Sequence, residues 1–219
     1  MRTIDTATFI AELDAARPHD PIAGRQLSIR EPQDHHFTGP PQCQQPENNG
    51  SCFHDEGRIL FRFANYTAGR DILELGADIG ISSRYILEGC YHNPNLPKLH
   101  SVDCLHKWPA DNSWPLREIY HCRTTQFRAP PGITFDWSFI DADHQHSAVV
   151  SDIYLCQSLN IPRLIFHDCH PRFADLPCDS PSSGSRARGA VLEVLGSDPT
   201  WDLTYITTPC GLIFASKKE

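Results

Sequence analysis

Two segments in the second half of the chain concentrate side chains that can bind a metal ion or move protons. The sequence FIDADH occupies residues 139–144, and FHDCH occupies residues 166–170. Carboxylates and imidazoles are suited to divalent metals and to general acid–base catalysis. The candidate groups are Asp141, His144, His167, Asp168 and His170.

A third segment has the composition of a cofactor-binding turn. The sequence ELGADIGISS, residues 74–83, follows a strand-like run and precedes a helical pattern. Its glycines let the backbone approach a ligand where a Cβ atom would collide. Asp103 ends the next strand-like run, where a carboxylate can accept both ribose hydroxyls of an adenosine. The combination predicts a cofactor that contains adenosine.

Two such cofactors compete for this turn. A nicotinamide dinucleotide needs its pyrophosphate on the helix N-terminus through G-x-G-x-x-G, and Asp78 stands where the second glycine should be. A carboxylate there would repel the pyrophosphate. The cationic sulfonium and amino group of S-adenosylmethionine (SAM) are compatible with Glu74 and Asp78, so the turn favours SAM.

At these residues the chain resembles the class I SAM-dependent methyltransferases, whose first motif reads E-x-G-x-x-x-G at the end of the first strand. The resemblance covers residues 56–217. It implies that glycines and Ala77 line the methionine part of SAM, that Glu74 holds its amino end and that Ser82 bonds its carboxylate. It also implies that Asp103 binds the ribose. The implied cofactor-binding set is Glu74, Gly76, Ala77, Asp78, Gly80, Ser82, Asp103 and Asp141.

The FIDADH and FHD segments resemble one branch of that superfamily, the cephalosporin-hydroxylase-like and catechol O-methyltransferase-like enzymes. In the catechol type, aspartates at the ends of strands four and five bind magnesium together with the next residue, an Asn or Asp. Asp141 and Asp168 match, but the third position is Cys169, a poor magnesium ligand. The implied metal ligands are Asp141, Asp168 and His170, and the implied catalytic groups are His144, His167 and Asp168.

Three alternatives are open for the metal. The site holds none, or it holds magnesium completed by histidine or water, or it holds a softer metal such as zinc, iron or manganese with histidine ligands. Asp141 and Asp168 can also be simple helix and turn caps. Because alternate strand residues point to opposite faces, His167 and Asp168 cannot both face the crevice of a regular strand. We favour Asp168 facing inward, with His167 packing or bonding beside it.

The elements that position these residues alternate between strand-like and helical patterns, which predicts a parallel sheet covered on both faces. The strand-like runs are 71–77, 98–104, 135–142, 163–169, 201–208 and 211–217, with a weaker one at 120–125. The helical patterns are 6–16, 56–68, 81–88, 146–158 and 189–195. We therefore predict an α/β, Rossmann-like, doubly wound, seven-stranded and mostly parallel sheet. Its last two strands, separated by Pro209 and Cys210, form an antiparallel hairpin.

The predicted domain division is an N-terminal helix with a Pro/His-rich lid segment over 1–54 and the methyltransferase domain over 55–219. A Pro/Ser-rich stretch at 171–189 is a second candidate lid. Cys43, Cys52 and His54 can be read as a zinc knuckle, although their spacing fits no standard pattern. Three aromatic residues after Asp103 can stack on adenine or pack in the core; they are Trp108, Trp114 and Tyr120.

Composition limits the partners. The 219 residues include 19 Lys and Arg against 27 Asp and Glu, a net charge of −8 that argues against a nucleic-acid partner. No apolar stretch has the length of a membrane span or a secretory leader, so we expect no membrane partner. Nine cysteines without a C-x-x-C pair indicate reduced thiols and a cytoplasmic location. A homodimer is compatible with the sequence.

The predicted function is methyl transfer from SAM to a small molecule. A hydroxyl is the expected acceptor, with or without a divalent metal, and N-methylation is the nearest variant. Two alternatives are kept. One is a fold relative that uses the His/Asp site for other chemistry, and the other is a non-catalytic cofactor-binding protein.

Overall fold

The computed structural model describes residues 1–16, 54–78, 80–105, 115–171 and 185–218. Most of the first predicted lid, most of the second and both Trp108 and Trp114 lie outside the described residues. So do Cys43, Cys52 and the side chain of His54, on which the zinc-knuckle interpretation depends.

Eight strands and five α-helices make up the described chain. The strands are β1 (Arg2–Asp5), β2 (Asp71–Leu75), β3 (Leu99–Val102), β4 (Arg117–Tyr120), β5 (Phe135–Ile140), β6 (Arg163–Phe166), β7 (Trp201–Thr207) and β8 (Leu212–Lys217). The helices are α1 (Thr6–Ala16), α2 (His54–Asn65), α3 (Ile81–His92), α4 (His146–Ser158) and α5 (Ser185–Val194).

The strands form one sheet in the order β1-β7-β8-β6-β5-β2-β3-β4. Every pairing is parallel except those of β8, which runs antiparallel to both β6 and β7. The predicted α/β architecture, with a mostly parallel sheet and a C-terminal hairpin, is confirmed. The sheet has eight strands rather than seven because Arg2–Asp5 pairs with β7 at the edge. This strand is mostly exposed and carries no apolar run, so no hydrophobic pattern marks it.

Helices cover both faces of the sheet. On one face, α1, α2 and α3 pack on apolar side chains of the central strands, with Trp137 and Phe139 fully buried. On the other face, α4 and α5 pack on Leu73, Leu164 and their neighbours. Strands β2, β3 and β5 are buried along almost their whole length, although each includes polar residues, among them Glu74, His100 and Asp136. No helix within the described ranges is long and apolar enough to span a membrane.

The central strands end earlier than predicted. The runs predicted over 71–77, 98–104, 135–142 and 163–169 leave the sheet after Leu75, Val102, Ile140 and Phe166. Of the segment 120–125 only Tyr120 belongs to a strand, because β4 ends there and a short 3₁₀ helix occupies Thr124–Gln126. The residues just beyond the strands form the loops at the carboxyl edge, where parallel α/β sheets bind ligands.

Candidate functional site

The glycine turn between β2 and α3 uses backbone conformations that ordinary side chains disfavour. Gly76 has φ 87°, Asp78 φ 42° and Gly80 φ 81°. At Gly76 a Cβ atom would lie 2.3 Å from the backbone oxygen of Asp141. Glycine is therefore required where the turn contacts the loop after β5, which brings the two predicted halves of the site together.

Asp103 holds this turn from the neighbouring strand. Its Oδ2 accepts hydrogen bonds from the backbone N–H groups of Ala77, at 2.9 Å, and Asp78, at 2.7 Å. Its Oδ1 accepts from the N–H of Leu105 at 2.6 Å. Asp103 is thus placed beside the turn, and its predicted bond to a ribose stays a prediction.

Glu74 lies beneath the turn with no exposed surface. The hydroxyl of Ser82 donates to its Oε1 at 2.8 Å, and those of Ser83 and Ser101 donate to its Oε2 at 2.5 and 2.6 Å. Burial raises the pKa of Glu74, whereas the guanidinium of Arg117 and the three hydroxyls lower it. The predicted contacts of Glu74 and Ser82 with the methionine part of SAM stay predictions, since in this structure the two side chains are hydrogen-bonded to each other.

The second half of the site is built around His167. Its imidazole is completely buried, with Nδ1 3.0 Å from Asp141 Oδ1 and Nε2 3.0 Å from Glu56 Oε2. Glu56, at the start of α2, is also fully buried. Its Oε1 accepts from the hydroxyl of Thr208 at 2.6 Å and from the N–H of Cys210 at 3.1 Å. The sequence did not identify Glu56, because an acidic residue in the first turn of a helix is normally exposed to solvent and interacts with the helix dipole.

Charge in this half is centred on the imidazole. Burial lowers the pKa of His167, but Asp141 and Glu56 outweigh it and hold that pKa well above its usual range. Asp168 is close by, with Oδ1 3.4 Å from His167 Nδ1. Burial raises the pKa of Asp168, and the imidazoles of His167 and His144 oppose that rise. The carboxylates around the ring therefore favour the protonated, imidazolium form of His167.

The chain after β6 is irregular in a way that the strand pattern did not predict. Asp168 has φ 54°, in the left-handed region, and the strand has already ended at Phe166. His167 and Asp168 therefore both face the cluster, since strict alternation no longer applies. The backbone N–H groups of Cys169 and His170 bond to the carbonyls of Gly211 and Cys210 in the β7–β8 turn, both at 2.8 Å.

His144 is the most open member of the cluster. Its side chain is 26% exposed, against 14% for Asp168 and none for His167. His144 Nε2 lies 3.5 Å from Asp168 Oδ2 and 3.8 Å from Asp141 Oδ1. It alone of the predicted catalytic histidines combines proximity to both aspartates with a solvent-facing imidazole.

Two groups of described residues place ligand atoms within 4.8 Å of one another. One comprises Asp141, His167 and Asp168, and the other comprises Glu56, His167 and Cys210. His170 belongs to neither, so its predicted ligand role stays a prediction. Cys169 is fully buried and directs its thiol to the carbonyl oxygen of His167, 3.4 Å away. Tyr120 packs in the core, with its hydroxyl 3.0 Å from His100 Nδ1.

No family model matches this sequence, and no curated protein is a significant relative. Solved structures do match. An O-methyltransferase from Bacillus cereus, solved with SAH, is 19% identical over 81% of this chain and 86% of that chain, with a TM-score of 0.63. TomG of Streptomyces achromogenes, an O-methyltransferase involved in tomaymycin synthesis and solved with SAM, is 18% identical over 82% and 86%, with a TM-score of 0.63.

A Podospora anserina methyltransferase bound to SAH is similar over 81% of this chain and 84% of that chain, at 14% identity and a TM-score of 0.63. At such identities the likeness concerns the fold. The chain therefore has the Rossmann-like fold of the methyltransferases that its sequence motifs resemble.

Proposed function

We propose that the protein transfers the methyl group of SAM to a hydroxyl of a small molecule. The observation that carries this proposal is the placement of two features on one carboxyl edge. The turn between Gly76 and Gly80 is held by Asp103, and the backbone of Asp141, which opens the acid–base cluster, touches that turn. A methyl donor in the turn and an acceptor at the cluster would be adjacent.

The reaction needs little from the protein beyond position and a proton acceptor. As the acceptor oxygen attacks the methyl carbon, the O–C bond forms while the C–S bond breaks, and the sulfonium becomes the thioether of SAH. The hydroxyl proton passes to His144, whose exposed imidazole can reach an acceptor. Asp168, 3.5 Å from His144, stabilises the imidazolium that results.

His167 has a different role in this proposal. Both of its ring nitrogens face carboxylates and the ring has no exposed surface, so it cannot reach an acceptor directly. It holds Asp141 by a 3.0 Å contact and is itself held by Glu56. We assign it to positioning the two aspartates rather than to proton transfer with the acceptor.

A divalent metal fits the cluster by the chemistry of its donors. Asp141 and Asp168 offer carboxylate oxygens, and His167 Nδ1, within 4.8 Å of them, would offer a nitrogen once the ion displaces its proton. Carboxylates suit magnesium or manganese, and the imidazole extends the choice to iron or zinc. When bound, the ion would lower the pKa of an acceptor hydroxyl. Cys169 takes no part, because its thiol is buried and points to a carbonyl.

Calorimetric titration of the full chain with SAM, with and without magnesium or manganese, tests the cofactor assignment. We expect binding in both conditions. Absence of binding in both would refute the proposal. If SAM binds, incubation with methyl-labelled SAM and fractionated small-molecule extracts should yield a labelled product and SAH. Binding without any labelled product would favour a non-catalytic cofactor-binding protein.

His144→Ala tests the proton acceptor, and His146→Ala is its matched control. His146 lies two positions away, is 42% exposed and pairs with Glu193 at 3.0 Å on the surface. Loss of a general base typically lowers kcat by about 10²–10⁴-fold. We expect that loss for His144→Ala with SAM affinity retained, and no change for His146→Ala. Equal activity of both variants would remove His144 from the mechanism.

A further inference from the structure

Arg117 lies on β4, two strands away from the glycine turn, yet it reaches beneath it. Its Nη2 donates to Ser83 Oγ at 3.1 Å, and its Nε donates to Ser101 Oγ at 3.2 Å. Ser83 stands in the first turn of α3 and Ser101 on β3. Arg117 therefore contacts α3, which follows the proposed cofactor turn, and β3, the strand beside the turn.

The direction of each hydrogen bond in this network is fixed by its ends. A guanidinium can only donate and an ionised carboxylate can only accept. The hydroxyls of Ser83 and Ser101 accept from Arg117, so each is left to donate its proton to Glu74 Oε2, at 2.5 and 2.6 Å. Two parallel bridges thus run from the cation through a serine to the carboxylate, and such chains polarise one another.

The network depends on the positive charge of Arg117 because the carboxylate of Glu74 has no contact with solvent. An ionised carboxylate without exposed surface is costly unless a positive charge compensates it. Arg117 supplies that charge: burial dominates and raises the pKa of Glu74, and the guanidinium limits that rise. Arg117 also interacts favourably with Asp103, so one guanidinium serves both carboxylates that hold the turn.

The carboxylates of Glu74 and Asp103 hold different parts of the glycine turn in place. Glu74 fixes Ser82 and Ser83 at the start of α3, and Asp103 fixes the N–H groups of Ala77 and Asp78. If Glu74 lost its counter-charge and became protonated, it would offer fewer acceptor sites to the serines. The start of α3 would then be free to shift relative to β2.

We infer that Arg117 is a positioning residue for SAM, acting through Ser83, Ser101 and Glu74 on the turn that holds the cofactor. Arg117 does not touch the cofactor in this assignment. The inference deepens the proposed function and rests on it, because it concerns the same turn.

Calorimetric titration of the full chain with SAM tests this, using Arg117→Met, Arg117→Lys, Glu74→Gln and the double variant E74Q/R117M. We expect Arg117→Met to weaken SAM binding about tenfold, the size typical of coupled neighbours. Arg117→Lys keeps the charge and should recover part of that loss. In the Glu74→Gln background, where no carboxylate needs a counter-charge, Arg117→Met should change affinity by less than about twofold.

Arg163→Met is the matched control. Arg163 forms an ion pair with the buried Asp136 at the amino ends of β6 and β5, away from the carboxyl ends that carry the turn. The substitution should lower stability without changing SAM affinity. Equal loss of affinity in Arg163→Met and Arg117→Met would show a general effect of destabilisation and overturn the inference. So would unchanged affinity in Arg117→Met, or the same loss with and without Glu74.

Two further measurements keep the outcomes separate. If Arg117→Met does not fold, as judged by circular dichroism, Ser101→Ala removes one bridge while leaving the charge. It should then weaken SAM binding about threefold, and an unchanged affinity would overturn the inference. Failure of the unmodified chain to bind SAM would refute the proposed function itself, whereas normal binding with indifferent Arg117 variants would refute the inference alone.

Discussion

Two buried glutamates support the two halves of the carboxyl edge, and their cations differ. Glu74 lies under the glycine turn and reaches Arg117 through serine hydroxyls. Glu56 lies under the acid–base cluster and contacts the imidazole of His167 directly, at 3.0 Å. A guanidinium keeps its charge at any physiological pH, whereas an imidazolium can lose a proton. The first half thus relies on a permanent positive charge, and the second on a positive charge that the neighbouring carboxylates favour.

The largest expected effect comes from separating the two halves where they touch, by Gly76→Ala. The added Cβ would lie 2.3 Å from Asp141 O and 2.5 Å from Ala142 Cα, and φ is 87°. Since backbone must move, we expect a loss of roughly 5 kcal/mol in the free energy of unfolding, measured by urea denaturation.

Gly132→Ala is the matched control for that substitution. Gly132 has φ 82°, and an added Cβ would meet nothing within 4 Å. It isolates the cost of the left-handed conformation, about 1–2 kcal/mol. Similar losses for both variants would mean that the contact between the halves contributes nothing.

Glu56→Ala tests the direct pair of the second half. Removing one partner of a buried ion pair leaves the other uncompensated, at a cost of about 3–5 kcal/mol. Glu56→Gln, which keeps an oxygen for Thr208 and Cys210, should cost about 1–3 kcal/mol. A loss below about 1 kcal/mol for Glu56→Ala at pH 7 would show that His167 is not an imidazolium.

Asp152 is a buried carboxylate that, unlike Glu74 and Glu56, has no positively charged partner among the described residues. Its side chain lies on α4, and neither oxygen has a hydrogen-bond donor in bonding geometry within the described part of the chain. The nearby hydroxyl of Thr124 lowers its pKa, but burial dominates and raises that pKa to about 6. The guanidinium of Arg117 opposes the same effect of burial at Glu74, whereas no cation among the described residues opposes it at Asp152.

The raised pKa of Asp152 determines how the stability of the protein changes with pH. The folded state binds the proton more tightly than the unfolded state, in which the carboxyl has its ordinary pKa of 3.8. The stability contributed by protonated Asp152 is present below about pH 4 and is lost as pH rises to about 6. At pH 7.5, Asp152→Asn should therefore be more stable than the unmodified chain by up to about 3 kcal/mol. The difference should vanish near pH 4, and a constant difference would contradict the assignment.

The sequence predicted which residues the carboxyl ends of the strands bring together. It did not reveal the buried charged residues that support them. Apolar runs located β2, β5 and β6 because these strands are buried on both faces, and their carboxyl ends placed Asp141, His167 and Asp168 on one edge. Glu56 and Arg117 carry no such signal. Glu56 is 111 residues from His167, and only the folded chain shows that its helix turns this carboxylate inward.

The overlong strand predictions have a related cause. Leu75 is followed by Gly76 and Ala77, and Phe166 by His167 and Asp168. Because the buried strands themselves include polar residues such as Glu74, polarity does not mark where the chain leaves the sheet. Backbone conformation marks it instead, at Gly76 with φ 87° and Asp168 with φ 54°. An aspartate in the left-handed region has no sequence signature that separates it from an aspartate in a strand.

The smallest expected effects concern the hydroxyls that serve each glutamate. The hydroxyl of Thr208 donates to Glu56 at 2.6 Å and accepts from the N–H of Gly211 at 2.9 Å, so Thr208→Val breaks two buried bonds. Ser101→Ala also removes a bridge, but the parallel one through Ser83 remains. We expect losses of about 2 kcal/mol for Thr208→Val and about 1 kcal/mol for Ser101→Ala in urea denaturation. Thr208→Ser, which keeps the hydroxyl, should recover most of the first loss; if it does not, the methyl packing rather than the bond to Glu56 stabilises this half.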